Sequence, residues 1–401
     1  MKELLLSYKY KRYFFLLILF TFILILVSPL KSGDFPHYYL QANLIHEIGI
    51  FNYISILFNS QVCNYINNDL CDPTRPYFLY FFFTLFIYLI KIIFLSYWEN
   101  AFILVNLIFT GIIYLKLFNL LKSKIELHLI FSILFLINIE QNIWNLYILG
   151  DVFINFLISL LFFSIISSYP NKSINFKSIV FYTFFSFLIF FSKPTGFLII
   201  IFFVFIFIFI SIESKINIDN LLFYSLFIIS VVFIFLSIII SNLSSINTDW
   251  GKSWNLIKFI EDGIIINTDS ENKIVKIDMG NNSFGNIFFY FLYKFIYFFK
   301  FWKFDLWSFE HNFISIFVSI PLYISFLYSL IFYKNYSLTN KRNIMICSSL
   351  IFAVAIFHTL TFIDRAFRFR LPAYTPLYFI LALNLNLLHK RFQNKLPFFK
   401  K

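Results

Sequence analysis

Long apolar runs, separated by short polar segments, dominate the pattern along this 401-residue chain. A run of 18 or more apolar residues can cross about 30 Å of hydrocarbon as an α-helix. The pattern therefore predicts an all-α polytopic membrane protein with about ten transmembrane helices. The predicted spans are 13–30, 101–120, 128–145, 147–168, 178–192, 196–212, 220–241, 312–333, 343–363 and 372–389.

Two further apolar stretches, 77–97 and 286–304, are ambiguous. The second is interrupted by lysines and surrounded by tryptophan and tyrosine, which is the composition of a helix lying in the membrane interface. The first contains a single charged residue, Lys91, and could cross. A further interfacial helix is predicted over 39–58, where apolar side chains follow a helical period: Leu40, Leu44, Ile48, Phe51 and Ile54.

The composition agrees with this pattern and excludes a soluble protein. The chain is 60% hydrophobic and 13% charged, with a mean hydropathy of +0.81, whereas soluble domains carry about 25% charged residues. The net charge of +12 would suggest a nucleic-acid partner in a soluble protein. Here it must first be compared with the membrane topology, because cytoplasmic loops collect lysine and arginine.

The basic residues do follow topology. Those before the first span place the N-terminus in the cytoplasm, and with ten spans the same side receives 18 of the 32 bases and four of the 20 acids. That side carries +14 and the rest of the chain −2, so no nucleic-acid partner is needed. The run 13–27 lacks a small-residue cleavage site, which favours an uncleaved first helix over a signal peptide.

The whole chain, 1–401, is predicted to form a single membrane domain with two long loops, 31–76 and 243–311. Both loops fall on the non-cytoplasmic side and together carry most of the acids. Long loops in a compact protein are usually functional, so we expect any chemistry to face away from the cytoplasm.

The first loop contains a candidate catalytic acid, Asp34. A carboxylate at the membrane surface is partly desolvated, which raises its pKa toward the range of a general base. The alternative is that Asp34 only caps the following helix. The same loop contains Cys63 and Cys71, which could form a disulfide outside the cytoplasm or remain two free thiols. Cys347 lies within a span and is predicted to be a packing residue.

Three arginines, Arg365, Arg368 and Arg370, cluster at the non-cytoplasmic end of the last span, against the general charge bias. Arginine suits bidentate recognition of phosphate, so a lipid-phosphate site is favoured over generic anchoring to anionic lipids. Lys193, between two spans on the same side, suits either a phosphate partner or a snorkelling anchor.

Other ionisable residues are weaker candidates. Asp151 begins a span and Glu140 ends the preceding one; such groups at membrane depth are often functional, although capping explains Asp151 equally well. Glu310 and His311 could donate metal ligands, but two adjacent residues more simply mark an exposed helix start. The cysteine spacing argues against zinc, no nucleotide-binding motif is present, and no cofactor is certain, which leaves a divalent metal possible.

The first of a series of motifs lies in the first loop. Gly33-Asp34, followed by Tyr38, Ala42 and Gly49, resembles the "GD…Y…A…G" stretch of the GT-C superfamily of integral-membrane glycosyltransferases. The branch it resembles is that of protein mannosyltransferases and aminoarabinose transferases.

Later segments resemble further motifs of that superfamily, in the same order along about residues 13–389. They are Arg75-Pro76-Tyr77-Phe78-Leu79-Tyr80 for "(R/K)PPLY", Asn106 for the "RLLNAL" helix, Leu149-Gly150-Asp151 where a glutamate is usual, Ser192-Lys193-Pro194-Thr195-Gly196 for "TRPTG", and Arg368-Phe369-Arg370-Leu371-Pro372-Ala373-Tyr374, with Pro376 following, for "RYRLP…P". Phe35 stands where the family often has a second acid.

This resemblance implies transfer of a sugar from a polyprenyl-phosphate donor to an acceptor hydroxyl at the outer face of a bacterial-type plasma (inner) membrane. The acceptor would be a glycolipid, a glycan or a protein. By the same likeness Asp34 is the general base, and Arg368, Arg370 and Lys193, with Arg365 nearby, bind the donor phosphate. The further candidates for substrate binding are His37, Tyr38, Arg75 and Asp151.

Two other functions stay open at this point. A transporter or flippase for polysaccharide or lipid would place charges or broken helices near the bilayer midplane and show internal repeats, and no repeat is visible. A membrane-embedded polysaccharide polymerase would depend on the later loop, 243–311, rather than on Asp34.

Overall fold

The computed structural model describes residues 29–31, 35–58, 62–65, 77–121, 125–168, 176–193, 196, 198–213, 221, 224–232, 234, 284–300, 309–360 and 370–395. Every regular element in these ranges is helical, and Leu30 and Tyr147 form one isolated bridge. The helices are α1 Phe35–Ile48, α2 Ile50–Phe58, α3 Val62–Tyr65, α4 Phe81–Phe94, α5 Trp98–Phe118, α6 Ile125–Leu136, α7 Ile139–Asn142, α8 Gly150–Ser168, α9 Phe176–Phe190, α10 Leu198–Glu213, α11 Phe284–Phe298, α12 Phe309–Ile331, α13 Leu338–Leu360 and α14 Leu371–Lys395.

Within the described ranges, five helical segments are long and apolar enough to cross a bilayer: Tyr77–Phe118, Gly150–Ser168, Asn312–Ile331, Leu338–Thr359 and Leu371–Leu388. A sixth is added if Leu127–Leu136 and Ile139–Leu146, which meet at 55°, form one bent span. The chain is a multi-pass integral membrane protein. The predicted count of about ten is not confirmed, because spans 13–30 and 220–241 lie largely outside the described residues and α9 and α10 have only 15 and 16 residues.

The centre of the bundle is α13, whose side chains are almost all buried. α10, α11 and α14 pack around it. Ser348, Ser349, Ala353 and Ala355 lie in the middle of this helix, and small side chains let neighbouring helices approach closely in a membrane. Ser348 and Ser349 donate hydrogen bonds to carbonyls one turn earlier, at 2.7 and 2.8 Å, so their hydroxyls need no other partner.

The ambiguous segment 77–97 forms α4, which folds back on α5. In one straight helix Phe86 and Phe109 would lie about 35 Å apart, at 1.5 Å per residue, but their ring centroids are separated by 5.9 Å. The chain reverses at Leu95, which has a left-handed φ of 47°. α4 begins where the Phe82 amide donates to the carbonyl of Phe191 at 3.0 Å. Tyr77–Phe118 is therefore a helical hairpin rather than one continuous rod.

The predicted amphipathic helix over 39–58 is divided in two. Gly49 has a φ of +80°, a backbone conformation that glycine adopts without steric cost, and it separates α1 from α2. The break changes which face is buried, so that Phe51 of the predicted apolar face is 84% exposed while Tyr53 is fully buried. The periodicity predicts helix correctly here, but not the orientation of the second half.

The second ambiguous segment, 286–304, forms α11 up to residue 298. Phe291, Phe295 and Phe298 are buried against the core, whereas Phe289 and Ile296 are exposed. Lys294 is also buried, although the sequence suggests a lysine at the interface. α11 is thus packed along one face on α13 rather than only resting on the bundle.

Candidate functional site

The candidate site is built around the broken segment 137–149, between α6 and α8. Two polar side chains of α5 hydrogen-bond to this segment. The Asn106 amide donates to the carbonyls of Asn145 and Tyr147 at 3.3 and 3.2 Å, and the Thr110 hydroxyl donates to Oδ1 of Asn145 at 2.7 Å. Irregular backbone at membrane depth is tolerated only where protein or a water-filled cavity satisfies it. Here the protein supplies the hydrogen bonds.

Asn138 begins the short helix α7 and fixes its position. Its Oδ1 accepts the backbone N–H of Gln141 at 3.2 Å, the usual geometry of an N-cap. Its amide donates to the hydroxyl of Tyr378 on α14 at 3.1 Å. These two bonds hold α7, and therefore Glu140, against the first turns of the last helix.

Glu140 lies in a buried cluster with Arg370 and Tyr374. The Tyr374 hydroxyl donates to Oε2 of Glu140, and Nη1 of Arg370 lies 3.8 Å from the same oxygen. Glu140 and Arg370 are only 3% and 2% exposed. A buried carboxylate is tolerated when it is paired and hydrogen-bonded, and this cluster provides both conditions.

Arg370 also closes the end of α11. Its guanidinium donates to the carbonyls of Lys300 and Tyr297 at 2.5 and 2.9 Å. The carbonyls after the last turn of a helix carry partial negative charge, so a cation is favourable there. The guanidinium carbon also lies 5.4 Å from the ring centroid of Phe298. Arg370, predicted from its charge to bind phosphate, is thus held by the protein on several sides.

A second buried ion pair joins two other predicted site residues. Nζ of Lys193 lies 2.6 Å from Oδ1 of Asp151, and each residue is 5% exposed. Asp151 stands in the first turn of α8, where a carboxylate interacts favourably with the helix dipole. Lys193 follows α9 in the loop before α10, so the pair connects two motif segments that are far apart in the sequence.

The chain on either side of Asp34 is anchored near these residues, although Asp34 itself lies outside the described residues. On one side, Leu30 pairs with the broken segment: its N–H donates to the Leu146 carbonyl at 2.9 Å, and the Ile148 N–H donates to the Leu30 carbonyl at 3.2 Å. On the other side α1 begins at Phe35, the next residue after Asp34.

Trp98 and Glu99 contact both flanks of that position. Nζ of Lys31 lies 2.9 Å from Oε1 of Glu99. The Phe35 ring stacks on Trp98 with centroids 6.2 Å apart and planes 9° from parallel. Tyr39, one turn later in α1, stacks on the same indole at 6.0 Å. The start of α5 therefore holds the chain immediately before and after residues 32–34.

The other predicted residues of the first loop have different surroundings. Tyr38 is 1% exposed and packs against Tyr80 and Phe83, with centroids 5.6 and 4.9 Å away. The carbonyl of His37 accepts the Gln41 amide at 3.1 Å, and Gln41 in turn accepts the Tyr53 hydroxyl at 2.6 Å. Burial, with a smaller contribution from Tyr77, raises the pKa of the Tyr53 phenol, so it is a neutral donor that joins α2 to α1.

Of the predicted cysteines, Cys63 is disulfide-bonded and Cys347 is free and buried. Cys71 lies outside the described residues. Four other predicted site residues also lie outside them: Asp34, Arg75, Arg365 and Arg368. Glu310 and His311 lie in the first turn of α12, and their side chains are not among those described. Among the described residues there is no group of three potential metal ligands.

Tyr374 is the one member of the buried cluster that the sequence analysis does not single out. The signal for it was present, because Arg370, Tyr374 and Tyr378 are spaced four residues apart and so share one face of a helix. That polar face, within an apolar span, points at Glu140 and Asn138.

The chain matches no family model, no curated protein and no solved structure with which it was compared. Function must therefore be inferred from the chemistry of these residues and from the sequence motifs.

Proposed function

We propose that this protein is a membrane glycosyltransferase that moves a sugar from a polyprenyl-phosphate donor to an acceptor hydroxyl at the non-cytoplasmic face. The order of the motifs along the chain supports the proposal. The contacts between motif residues support it further: Asp151 and Lys193, from two separate motifs, lie 2.6 Å apart. The segment that leads into Asp151 is also bonded to Leu30, four residues before Asp34.

This convergence is the observation on which the proposal depends. The segments near positions 30, 150 and 193 are far apart in the sequence, yet these contacts join them at one end of the bundle. A transfer reaction needs its base and its phosphate-binding cations within reach of one substrate. Scattered capping and anchoring residues would have no reason to meet.

In the proposed reaction Asp34 accepts the proton of the acceptor hydroxyl as its oxygen attacks the anomeric carbon. The bond between that carbon and the lipid-phosphate oxygen breaks, and the lipid phosphate leaves with the bonding electrons. Cations near the phosphate stabilise its developing charge. The configuration at the anomeric carbon is inverted, because a single displacement occurs.

The three proposed phosphate-binding cations have unequal roles, because two of them are paired with carboxylates. Lys193 and Arg370 are each next to a carboxylate, which offsets part of their field at the substrate. Arg370 also donates to two carbonyls. Arg368 therefore carries most of the direct phosphate contact in this proposal, and Arg370 and Lys193 shape the site around it.

The test is transfer of labelled sugar from a polyprenyl-phosphate donor by the full-length protein in proteoliposomes. Asp34→Asn should reduce the rate by about 10²–10⁴-fold, the usual contribution of a general base. Glu47→Gln, which removes an exposed acid of α1, should retain wild-type activity. If Asp34→Asn is monodisperse and keeps more than about a tenth of the rate, Asp34 is not the base.

Transport of a lipid-linked saccharide is the second candidate, because of the 55° break between α6 and the following segment. Broken helices beside buried charges line the substrate sites of many transporters. The same proteoliposomes separate the two functions. A transporter moves the labelled lipid between leaflets without forming a new glycoside, and Asp34→Asn would not abolish that movement selectively.

A further inference from the structure

A cavity of about 260 Å³ lies between α12 and α14, in the half of these helices that is remote from Arg370. Its lining is largely aliphatic, with Pro321, Ile324, Leu381, Leu385 and Leu388 among the contributing residues. The cavity exists because Pro321 and Ser325 present little side-chain volume on successive turns of α12. None of the residues of the candidate active site contributes to it.

Three of the polar residues at the cavity, Ser325, Tyr336 and Asn384, are hydrogen-bonded to one another. The Tyr336 hydroxyl donates to Oδ1 of Asn384 at 2.6 Å. The Asn384 amide donates to the Ser325 carbonyl at 2.9 Å and to Oγ of Ser329 at 3.0 Å. This network uses the hydrogen-bonding capacity of the Asn384 amide, so that side chain has little to offer to water or to a polar ligand.

The mouth of the cavity faces the lipid. Ile324 is 61% exposed and Leu388 is 48% exposed, and both lie on helices long and apolar enough to cross the bilayer. An apolar space of this kind does not hold water, and leaving it empty forfeits dispersion contacts along its walls. A flexible hydrocarbon chain from the surrounding bilayer fills it at little cost.

The charge beside the cavity selects the kind of lipid. The segment 332–342 comprises the connection from α12 to α13 and the start of α13, and it contains three bases and no acid. Lys334 is exposed and directly precedes Asn335, which lines the cavity. Nζ of Lys341 lies 5.6 Å from the Tyr333 ring centroid, so the neighbouring positive charge is held at the same end of the bundle.

We propose that this cavity is a binding site for an anionic phospholipid, with one acyl chain between α12 and α14 and the phosphate near Lys334. The site is distinct from the proposed glycosyltransferase site and does not depend on it. Its occupant contacts both α12 and α14, which the Asn384 network also joins.

The test uses the full-length protein in vesicles that contain a trace of phospholipid with a photoreactive acyl chain. Phosphatidylglycerol should label peptides from 321–336 and 381–388, and phosphatidylcholine should label them several-fold less. Leu385→Trp fills the cavity and should remove most of the labelling. Ile320→Trp adds the same side chain at an exposed position of α12 outside the lining and should leave it unchanged.

The charge is tested separately. Lys334→Gln should lower the preference for phosphatidylglycerol by about fivefold, the effect of one lysine near a membrane surface. Lys116→Gln removes an exposed base of α5 that does not line the cavity and should have no effect. Leu388→Trp provides a second blocking variant if Leu385→Trp does not fold. Equal labelling by both lipids, or labelling that neither blocking variant reduces, would overturn the proposal.

Discussion

Nζ of Lys193 lies 2.6 Å from Oδ1 of Asp151, with both side chains almost fully buried. A buried ion pair contributes little to stability compared with well-packed apolar residues, but loss of one partner leaves an uncompensated charge. This asymmetry allows a structural role to be separated from a functional one.

Lys193→Met alone should destabilise the protein by about 3–5 kcal/mol, because Asp151 is left buried and uncompensated. The double variant Lys193→Met/Asp151→Leu should recover most of that loss. Thermal unfolding of the two variants in detergent measures the difference. If the pair also serves the reaction, the stable double variant will remain inactive; full activity in it would show that the pair is purely structural.

Arg368 and Arg370 should respond differently to replacement by lysine. Arg370→Lys cannot donate to both the Lys300 and Tyr297 carbonyls with the same geometry, so it should lower stability by about 1.5–3 kcal/mol. Arg368→Lys should keep the melting temperature and weaken donor use by roughly ten- to a hundredfold, the effect of losing one charge-assisted bond.

Donor titrations and melting curves on the same preparations distinguish these outcomes. Arg365→Lys serves as the comparison and should have a smaller effect on donor use than Arg368→Lys. Generic anchoring to anionic lipids predicts instead that Arg368→Lys and Arg365→Lys are both silent, because the charge is preserved. If Arg368→Lys uses the donor as well as the wild-type protein does, Arg368 does not bind the donor phosphate.

The sequence predicts individual charged residues better than their partners. Asp151 and Lys193 both stand out against an apolar background, but nothing in the local pattern indicates that they pair across a sequence separation of 42. Arg370 suggests phosphate by its charge alone; only the packing of α11 and α7 shows that carbonyls and Glu140 hold it. Side-chain pairing is a tertiary property, which periodicity does not record.

The same distinction applies to the helices. The spans predicted over 343–363 and 372–389 correspond to α13 and α14, because long apolar runs specify helix strongly. The 39–58 helix is found, but its second half faces another way, since the left-handed φ of Gly49 restarts the helix. The hairpin of α4 and α5 depends on Leu95, whose conformation no propensity predicts.

Gly196 should not accept a side chain. A Cβ there would lie 2.4 Å from the Ile189 carbonyl oxygen and 2.6 Å from Cα of Phe190, and backbone atoms cannot move aside cheaply. Gly196→Ala should cost about 1–3 kcal/mol and displace Lys193 from Asp151. Gly150→Ala is the matched control, because the atoms nearest to its Cβ would belong to the Phe83 side chain, at 3.2 Å, rather than to the backbone. Equal melting temperatures for the two variants would contradict this account.

Trp98 should act as a positioning residue for Asp34 if the proposed mechanism holds. Trp98→Leu removes the ring on which Phe35 stacks, so we expect a lower kcat and a shifted pH profile of kcat/KM, since the environment of the base changes. Tyr97→Leu, at a neighbouring position that is 74% exposed, should change neither. A Trp98→Leu enzyme with lower stability but an unchanged pH profile would assign the indole a purely structural role.

The charge distribution predicts that the segment 332–342 faces the cytoplasm and that α1 lies on the opposite side. A cysteine at Asn340 should therefore react with an impermeant maleimide only after the cells are permeabilised, whereas one at Glu47, which is exposed on α1, should react in intact cells. The two described cysteines give little background, because Cys347 is buried and Cys63 is disulfide-bonded. The two positions must differ, since an odd number of crossings separates the loops in the ten-span topology.

Labelling of position 340 from outside, with position 47 protected, would invert the topology and move the proposed reaction to the cytoplasmic face. Labelling of both positions from outside would instead mean that the number of crossings between them is even, and the ten-span topology would be wrong.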